Sequence, residues 1–271
     1  MRGRFCANCF LGGSMDKKAI SPVVSMMLIL AIITTSISVL WANYVPIVKK
    51  RAEIEHNEKL IDEFLSISTI YSLLNENESK VISLKLGGGE TTFGRLTTSS
   101  TLKVRNTGTV IVDMSCDNST VRKSFSLFGI ELSIHNTYLP NRAFVFSEGG
   151  IKVFQYDKNI TRLEPNINES LRFQNDTLML RIDNLKTDPQ EVSGNGIVYL
   201  RLKFECHSDR YYNCTGFIQV NDSLFEDEWI GVMKSLSKRT DRLSFDSEND
   251  SLEFNNINVS ILIRNFVVNI N

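Results

Sequence analysis

The residues able to do chemistry are few and poorly grouped. Three histidines, His56, His135 and His207, stand far apart, with no paired nucleophile and no metal-ligand spacing. A solvated or structural imidazole is the expectation at each. Gly87-Gly88-Gly89 follows a strand-like run, but no Lys-Ser/Thr pair or helix pattern succeeds it, so it reads as a turn and not a phosphate cradle. Asp222, Glu226, Asp227 and Glu228 cluster as calcium ligands or an acid/base pair would. Carboxylates at a helix N-terminus explain them more simply, since each is favourable there by about 0.3 to 1 kcal/mol. A glycosidase-like carboxylate pair is set by fold and leaves no mark in spacing. The expectation is therefore a chain without catalytic residues, metal site or cofactor.

The cysteines and asparagines say more about compartment. Cys206 and Cys214 flank the polar, aromatic stretch HSDRYYN and read as a disulfide across a short loop. Such a bridge contributes roughly 2.5 kcal/mol in an oxidising compartment, less any strain. Cys116 stands alone. Cys6 and Cys9 form CANC, but no second pair completes a tetrahedral site. Gly12-Gly13 lies just ahead of Met15, where glycine codons can spell a ribosome-binding site, so translation is expected to start at Met15 with residues 1–14 untranslated. Nine asparagines, Asn77, Asn118, Asn159, Asn168, Asn175, Asn213, Asn221, Asn249 and Asn258, each stand two residues before Ser or Thr without an intervening proline. That exceeds what composition gives by chance. With the expected disulfide, it places the residues beyond Arg51 outside the cell. The net charge of −1 gives no argument for a nucleic-acid partner, which would need a basic face.

The element that must carry all this is the run from Asp16 to Arg51, with thirty uncharged residues between two basic clusters. From Val23 to Val45 a helix extends about 34 Å, enough to cross a hydrocarbon core of about 30 Å. A secretory signal has a shorter apolar run, of about 7 to 15 residues. Here Trp41 and Tyr44 occupy an interfacial belt before Lys49, Lys50 and Arg51, so the segment is expected to stay in the mature protein. Ser21 is placed to cap it and Pro22 suits the first helical position. Ser25, Ala31, Thr34, Thr35, Ser36, Ser38 and Ala42 are small enough for close helix packing in lipid, or are simply tolerated in a single anchor. Lys17 and Lys18 balance the later basic cluster, so charge alone does not orient the span.

A basic leader ending Lys17-Lys18, followed by AISPVVSMMLIL, resembles the N-terminus of archaeal type IV pilin-like and archaellin-like proteins. The resemblance is specific over residues 15 to 50. VISLKLGGG, SEGGIKVFQ and VSGNGIVYLRL also look like landmarks of an archaeal pilin-like group. It implies that a prepilin peptidase cuts between Lys18 and Ala19 on the cytoplasmic side, that the helix stays in the mature protein, and that like or related subunits pack through it. Bacterial type IV pilins carry a glutamate at the fifth mature position; here that position is Val23. Assembly through that charge pair therefore does not apply.

Beyond the span, helical character continues to about Asn75. Leu60, Phe64, Ile67, Tyr71 and Leu74 form one apolar stripe, for which a folded outer domain is a plainer partner than a coiled coil. Pro46 interrupts one backbone hydrogen bond and is expected to kink the stem. After Lys80 the period changes to two, and turn residues break it every eight to twelve positions. The expected fold is α+β: a long N-terminal helix, transmembrane and then an amphipathic stem, followed by a mainly antiparallel β-sandwich with one short helix. RLSFD and SLEFN read as a hairpin. Ser223 and Glu226 suggest a capping box for the helix, with Leu224, Trp229, Val232, Met233 and Leu236 on its buried face. The expected divisions are leader 1–18, transmembrane helix 19–48, stem 49–79 and extracellular β-rich domain 80–271. Three readings follow: a glycosylated pilin-like surface protein anchored in membrane lipid; a non-polymerising anchored module binding a surface-layer or envelope protein; and a stalked enzyme.

Overall fold

The computed structural model describes residues 22–88, 90–91, 94–95, 98–117, 119–155 and 158–271. The cleavage point between Lys18 and Ala19, the Cys6/Cys9 pair, the Ser21 cap, Gly89 and Asn118 lie outside the described residues. Two compact units divide the chain, one up to Ile47 and one from Val48 to Asn271.

In the first unit, helix α1 (Pro22–Leu73) begins with an apolar stretch of mean hydropathy 2.4, none of it buried. It is long and apolar enough to cross a membrane. Four of its polar side chains turn back on the helix. Thr34 Oγ1 donates to the Leu30 carbonyl at 2.9 Å, Thr35 Oγ1 to Ala31 at 2.8 Å, Ser38 Oγ to Thr34 at 2.7 Å, and Asn43 Nδ2 to Val39 at 2.8 Å. Groups satisfied in this way need no water, the condition that hydrocarbon imposes. The helix remains continuous through Pro46.

The second unit contains the rest of α1, here the stem, and a strand-rich body. The elements are β1 (Ser79–Lys85), β2 (Glu90–Thr91), β3 (Gly94–Arg95), β4 (Ser99–Cys116), β5 (Ser119–His135), β6 (Arg142–Ser147), β7 (Gly150–Gln155), β8 (Lys158–Leu163), α2 (Ile167–Ser170), β9 (Leu171–Gln174), β10 (Thr177–Leu185), β11 (Gln190–Gly194), β12 (Ile197–Asn221), α3 (Glu226–Ser237), β13 (Leu243–Asp246) and β14 (Ser251–Ile270). β2 and β3 form a separate ribbon. β4, β12, β14, β10 and β5 neighbour one another in that order, and β5 returns to β4.

A closed barrel with extra strands therefore describes the body better than the expected two-sheet sandwich. The reason lies in strand length. β4, β5, β12 and β14 run for 18, 17, 25 and 20 residues and pass from one core into another, so no two separate sheets face each other. β10 also pairs with β14 in parallel, from Thr177↔Asn258 to Leu185↔Phe266. A one-residue register shift between Asn106 and Thr109 marks where the β4–β5 ribbon changes core. The expected hairpin is present as β13–β14, Leu243↔Phe254 to Asp246↔Ser251.

The first core holds the stem. Leu60, Phe64, Ile67, Tyr71 and Leu74 are all buried against Leu102, Val104, Phe128, Ile130, Phe144, Phe146 and Phe266. The stripe thus packs on the β-rich body, and each large apolar side chain so buried contributes about 1.5–3 kcal/mol before entropy is counted. The second core fills the barrel with Val110, Val112, Met114, Leu178, Leu180, Ile218, Val259 and Ile261, under Trp229, Met233 and Leu236 of α3.

The structure corrects the disulfide. Cys116 is bonded to Cys214, and Cys206 is a free thiol. HSDRYYN is not a loop: Cys206 and Cys214 lie on the same continuous strand β12. Eight residues of strand separate their backbones by about 26 Å, far beyond the reach of a disulfide. Cys116 lies instead on β4, whose Ser115 is paired with Thr215 of β12. The capping box is also corrected. Helix α3 starts at Glu226 with Phe225 in the cap position and no side-chain cap bond; the Ser223 hydroxyl instead donates to Glu148 and accepts from the Phe225 amide, one residue short of the expected box.

Candidate functional site

Ser147 pairs with Gly150, leaving Glu148 and Gly149 as a two-residue turn between β6 and β7, with φ of 53° and 81°. Both positive angles suit a tight hairpin turn, for which Asn-Gly is the favoured sequence. Glutamate has no short side chain to stabilise that conformation, and its cost is about 1–2 kcal/mol. The position is explained by where the carboxylate goes. Glu148 is buried, accepting from Trp229 Nε1 at 2.5 Å on one oxygen and from Ser223 Oγ at 3.0 Å on the other. Ser223 Oγ in turn accepts from the Phe225 amide at 3.1 Å. Lys152 caps the same corner, donating to the Leu224 carbonyl and lying 4.0 Å from Glu228.

The stem reaches this turn from the other side. Ser68 Oγ donates to the Gly149 carbonyl at 3.2 Å. One turn further, the Tyr71 hydroxyl donates to Asp183 Oδ2 and accepts from Arg264. Arg264 forks onto Asp183 with Nε–Oδ1 at 2.6 Å and Nη2–Oδ2 at 2.7 Å, its guanidinium 4.7 Å from the Tyr71 ring centre. Two buried polar groups, one around Glu148 and one around Asp183, thus join α1, the β6–β7 turn, β10, β14 and α3.

Electrostatics distinguish the two. Burial pushes the Glu148 carboxyl up to about 7, against its two hydrogen bonds, with the negative charges of Asp183 and Glu228 adding to the rise. Burial alone would lower the Arg264 value, but Asp183 outweighs it and keeps the guanidinium charged. Burial, followed by Asp183, raises the Tyr71 phenol well above its ordinary range. Burial thus favours the protonated form of Glu148, whereas Asp183 and Arg264 form a close, forked pair.

No known protein family, characterised protein or solved structure matches this chain.

The sites expected from sequence are scattered. Of the sequons, Asn77, Asn159, Asn168, Asn175, Asn213 and Asn249 are exposed, and Asn221 and Asn258 half-buried. Asn258 Oδ1 accepts from the Asn213 amide at 3.3 Å, so these two meet. The sequon hydroxyls differ more: Ser170, Ser223 and Ser251 are buried, whereas Ser79, Thr161 and Thr215 are exposed. His207 pairs with Asp209 at 2.9 Å, His135 lies 3.5 Å from Thr101 Oγ1, and His56 on the stem has its value lowered by burial and then by Lys85. Burial, with Glu76 nearby, raises the free Cys206 thiol. Among the described residues no three His, Cys, Asp or Glu side chains are grouped to hold a metal ion.

Sequence reasoning missed Glu148, Asp183 and Arg264. The signal for Glu148 was a glutamate in a Gly-Gly turn where asparagine or aspartate is usual. Asp183 and Arg264 lie on the outer face of their strands and carried none.

Proposed function

We propose that the chain is a pilin-like cell-surface subunit, held in the membrane by the apolar part of α1 before assembly and displaying a glycosylated β-rich body outside the cell. One observation carries the reading: a single 52-residue helix is apolar and uncovered at its start, while its later stripe is embedded in the strand-rich unit. A secretory signal needs no such continuation, because it is discarded. A subunit that packs through its helix needs its folded body fixed to that helix. In a filament, neighbouring helices replace lipid around the apolar stretch, and hydroxyls already satisfied within the helix tolerate either environment. The likeness of residues 15 to 50 to archaeal pilin-like proteins supports processing by a prepilin peptidase between Lys18 and Ala19.

N-terminal sequencing of the mature protein, with electron microscopy of material sheared from cells, tests the proposal. A terminus at Ala19 and thin filaments containing the chain are expected. Retained Lys17 and Lys18 without filaments would overturn it in favour of a plain anchored module for a surface-layer or envelope component.

A further inference from the structure

Leu178, Leu180 and Ile182 of β10 fill the barrel, which turns Thr177, Met179 and Arg181 to its outer face. The register continues this face across four strands. Arg172 of β9 lies beside Met179, Met179 beside Ser260 of β14, and Ser260 beside Arg210 of β12. At strand spacing, Arg172 and Arg210 are about 14 Å apart, with Arg181 about 7 Å along from Met179. All three arginines line a shallow cavity of about 380 Å³. A second one, of about 260 Å³, shares Met179, Arg210 and Ser260 and adds the exposed ring of Tyr212.

The charge in this trough is unbalanced. Several basic side chains elsewhere on the sheets have carboxylate partners, as in Lys103–Glu191, Arg105–Glu131, Arg122–Asp113 and Lys123–Asp209, and those without one among the described residues, such as Arg142, Arg162 and Arg201, do not line this trough. Here Glu169 alone faces three guanidiniums, 3.4 Å from Arg181. Arg181 Nε is buried without a partner. The Arg172 side chain makes one long bond, to the Glu169 carbonyl at 3.4 Å, and the Arg210 side chain has neither ion pair nor hydrogen bond among the described residues.

We propose that this face binds an acidic polysaccharide, a site independent of whether the chain forms filaments. Planar guanidinium forks match carboxylate or sulfate groups in pairs. Ser208 and Ser260 offer hydroxyls to sugar oxygens between them, while Met179 and Tyr212 give apolar contact for ring faces. A single-stranded nucleic acid would call for successive aromatic platforms, and Tyr212 is the one exposed ring in this trough.

The test uses the full chain in detergent, produced in a host lacking N-glycosylation so that Asn168, Asn175 and Asn258 near the trough are bare. Binding of polygalacturonate oligosaccharides is measured beside neutral dextran and DNA. Saturable, salt-sensitive binding to polygalacturonate and none to dextran is expected. Arg172→Gln and Arg210→Gln should each weaken it about tenfold or more, and Arg122→Gln, on another strand, should not. Unchanged circular dichroism and melting show that the variants fold. Absent binding, equal loss in Arg122→Gln, or tighter binding to DNA through the same arginines would each overturn the assignment.

Discussion

Replacing Glu148 with glutamine removes a titrating proton while nearly preserving the side chain's shape. Neutral Glu148 fits its buried site, and the ionised form does not, because burial outweighs the bonds from Trp229 and Ser223. A rise from 4.5 to about 7 corresponds to a linkage of about 3 kcal/mol. The sign follows from proton binding. Between about pH 4.5 and pH 7 the folded chain holds a proton that the unfolded chain has lost. The contribution of neutral Glu148 is therefore complete below pH 4.5, declines as pH rises through 7, and is gone above it. Urea unfolding of the full chain in detergent, followed by circular dichroism at pH 5 and pH 8, measures it. Wild type should lose about 2–3 kcal/mol more than Glu148→Gln on going from pH 5 to pH 8. The variant should be slightly weaker at pH 5 and stronger at pH 8. Equal pH dependence in the two proteins would refute the argument that desolvation governs this carboxyl.

Other perturbations address separate parts of the body. Cys214→Ser or Cys116→Ser should each cost about 2–5 kcal/mol, Cys206→Ser much less, and peptide mapping without reduction should recover the Cys116–Cys214 link. Arg264→Ala leaves the Asp183 carboxylate buried and unpaired, so it should cost about 3–5 kcal/mol by thermal or urea unfolding. Adding Asp183→Ala should recover part of that loss, because the uncompensated charge is removed with it. Glycopeptide mapping should find Asn77, Asn159 and Asn213 more fully occupied than Asn168, Asn221 and Asn249, whose sequon hydroxyls on Ser170, Ser223 and Ser251 are buried.

What was legible in the sequence is what depends on local period. The apolar start of α1, the stem stripe from Leu60 to Leu74, the Trp229, Met233 and Leu236 face of α3 and the β13–β14 hairpin are each set by residues close in sequence and are found where the pattern places them, whereas α3 starts later than expected and leaves Leu224 outside it. Strand continuity was not legible. HSDRYYN is polar and aromatic, so it reads as a loop, yet β12 passes through it because β14 pairs with it from Cys206↔Arg264 to Tyr211↔Val259. That long-range pairing moved the disulfide to Cys116 and removed the basis for a sandwich. The same limit hid the buried polar groups. Asp183 shares an outer strand face with Met179 and Arg181, and it is buried where Tyr71 of the stem and Arg264 of β14 meet it.

The stem's attachment can be followed along its length. At its lower end Glu53 is fully buried, accepting from the Thr137 amide at 2.7 Å and the Tyr138 amide at 2.9 Å, while Asn57 donates to Asn136 at 2.9 Å. Eighteen residues later, about 27 Å along the helix, Tyr71 meets Asp183 and Arg264. Between these two polar clasps the apolar stripe supplies most of the burial but little direction, since hydrophobic contact alone lets a helix slide or turn in its groove. Charge-assisted bonds to particular partners at both ends fix its register and rotation. A strand-rich body held in that way keeps one register and one rotation on its stem.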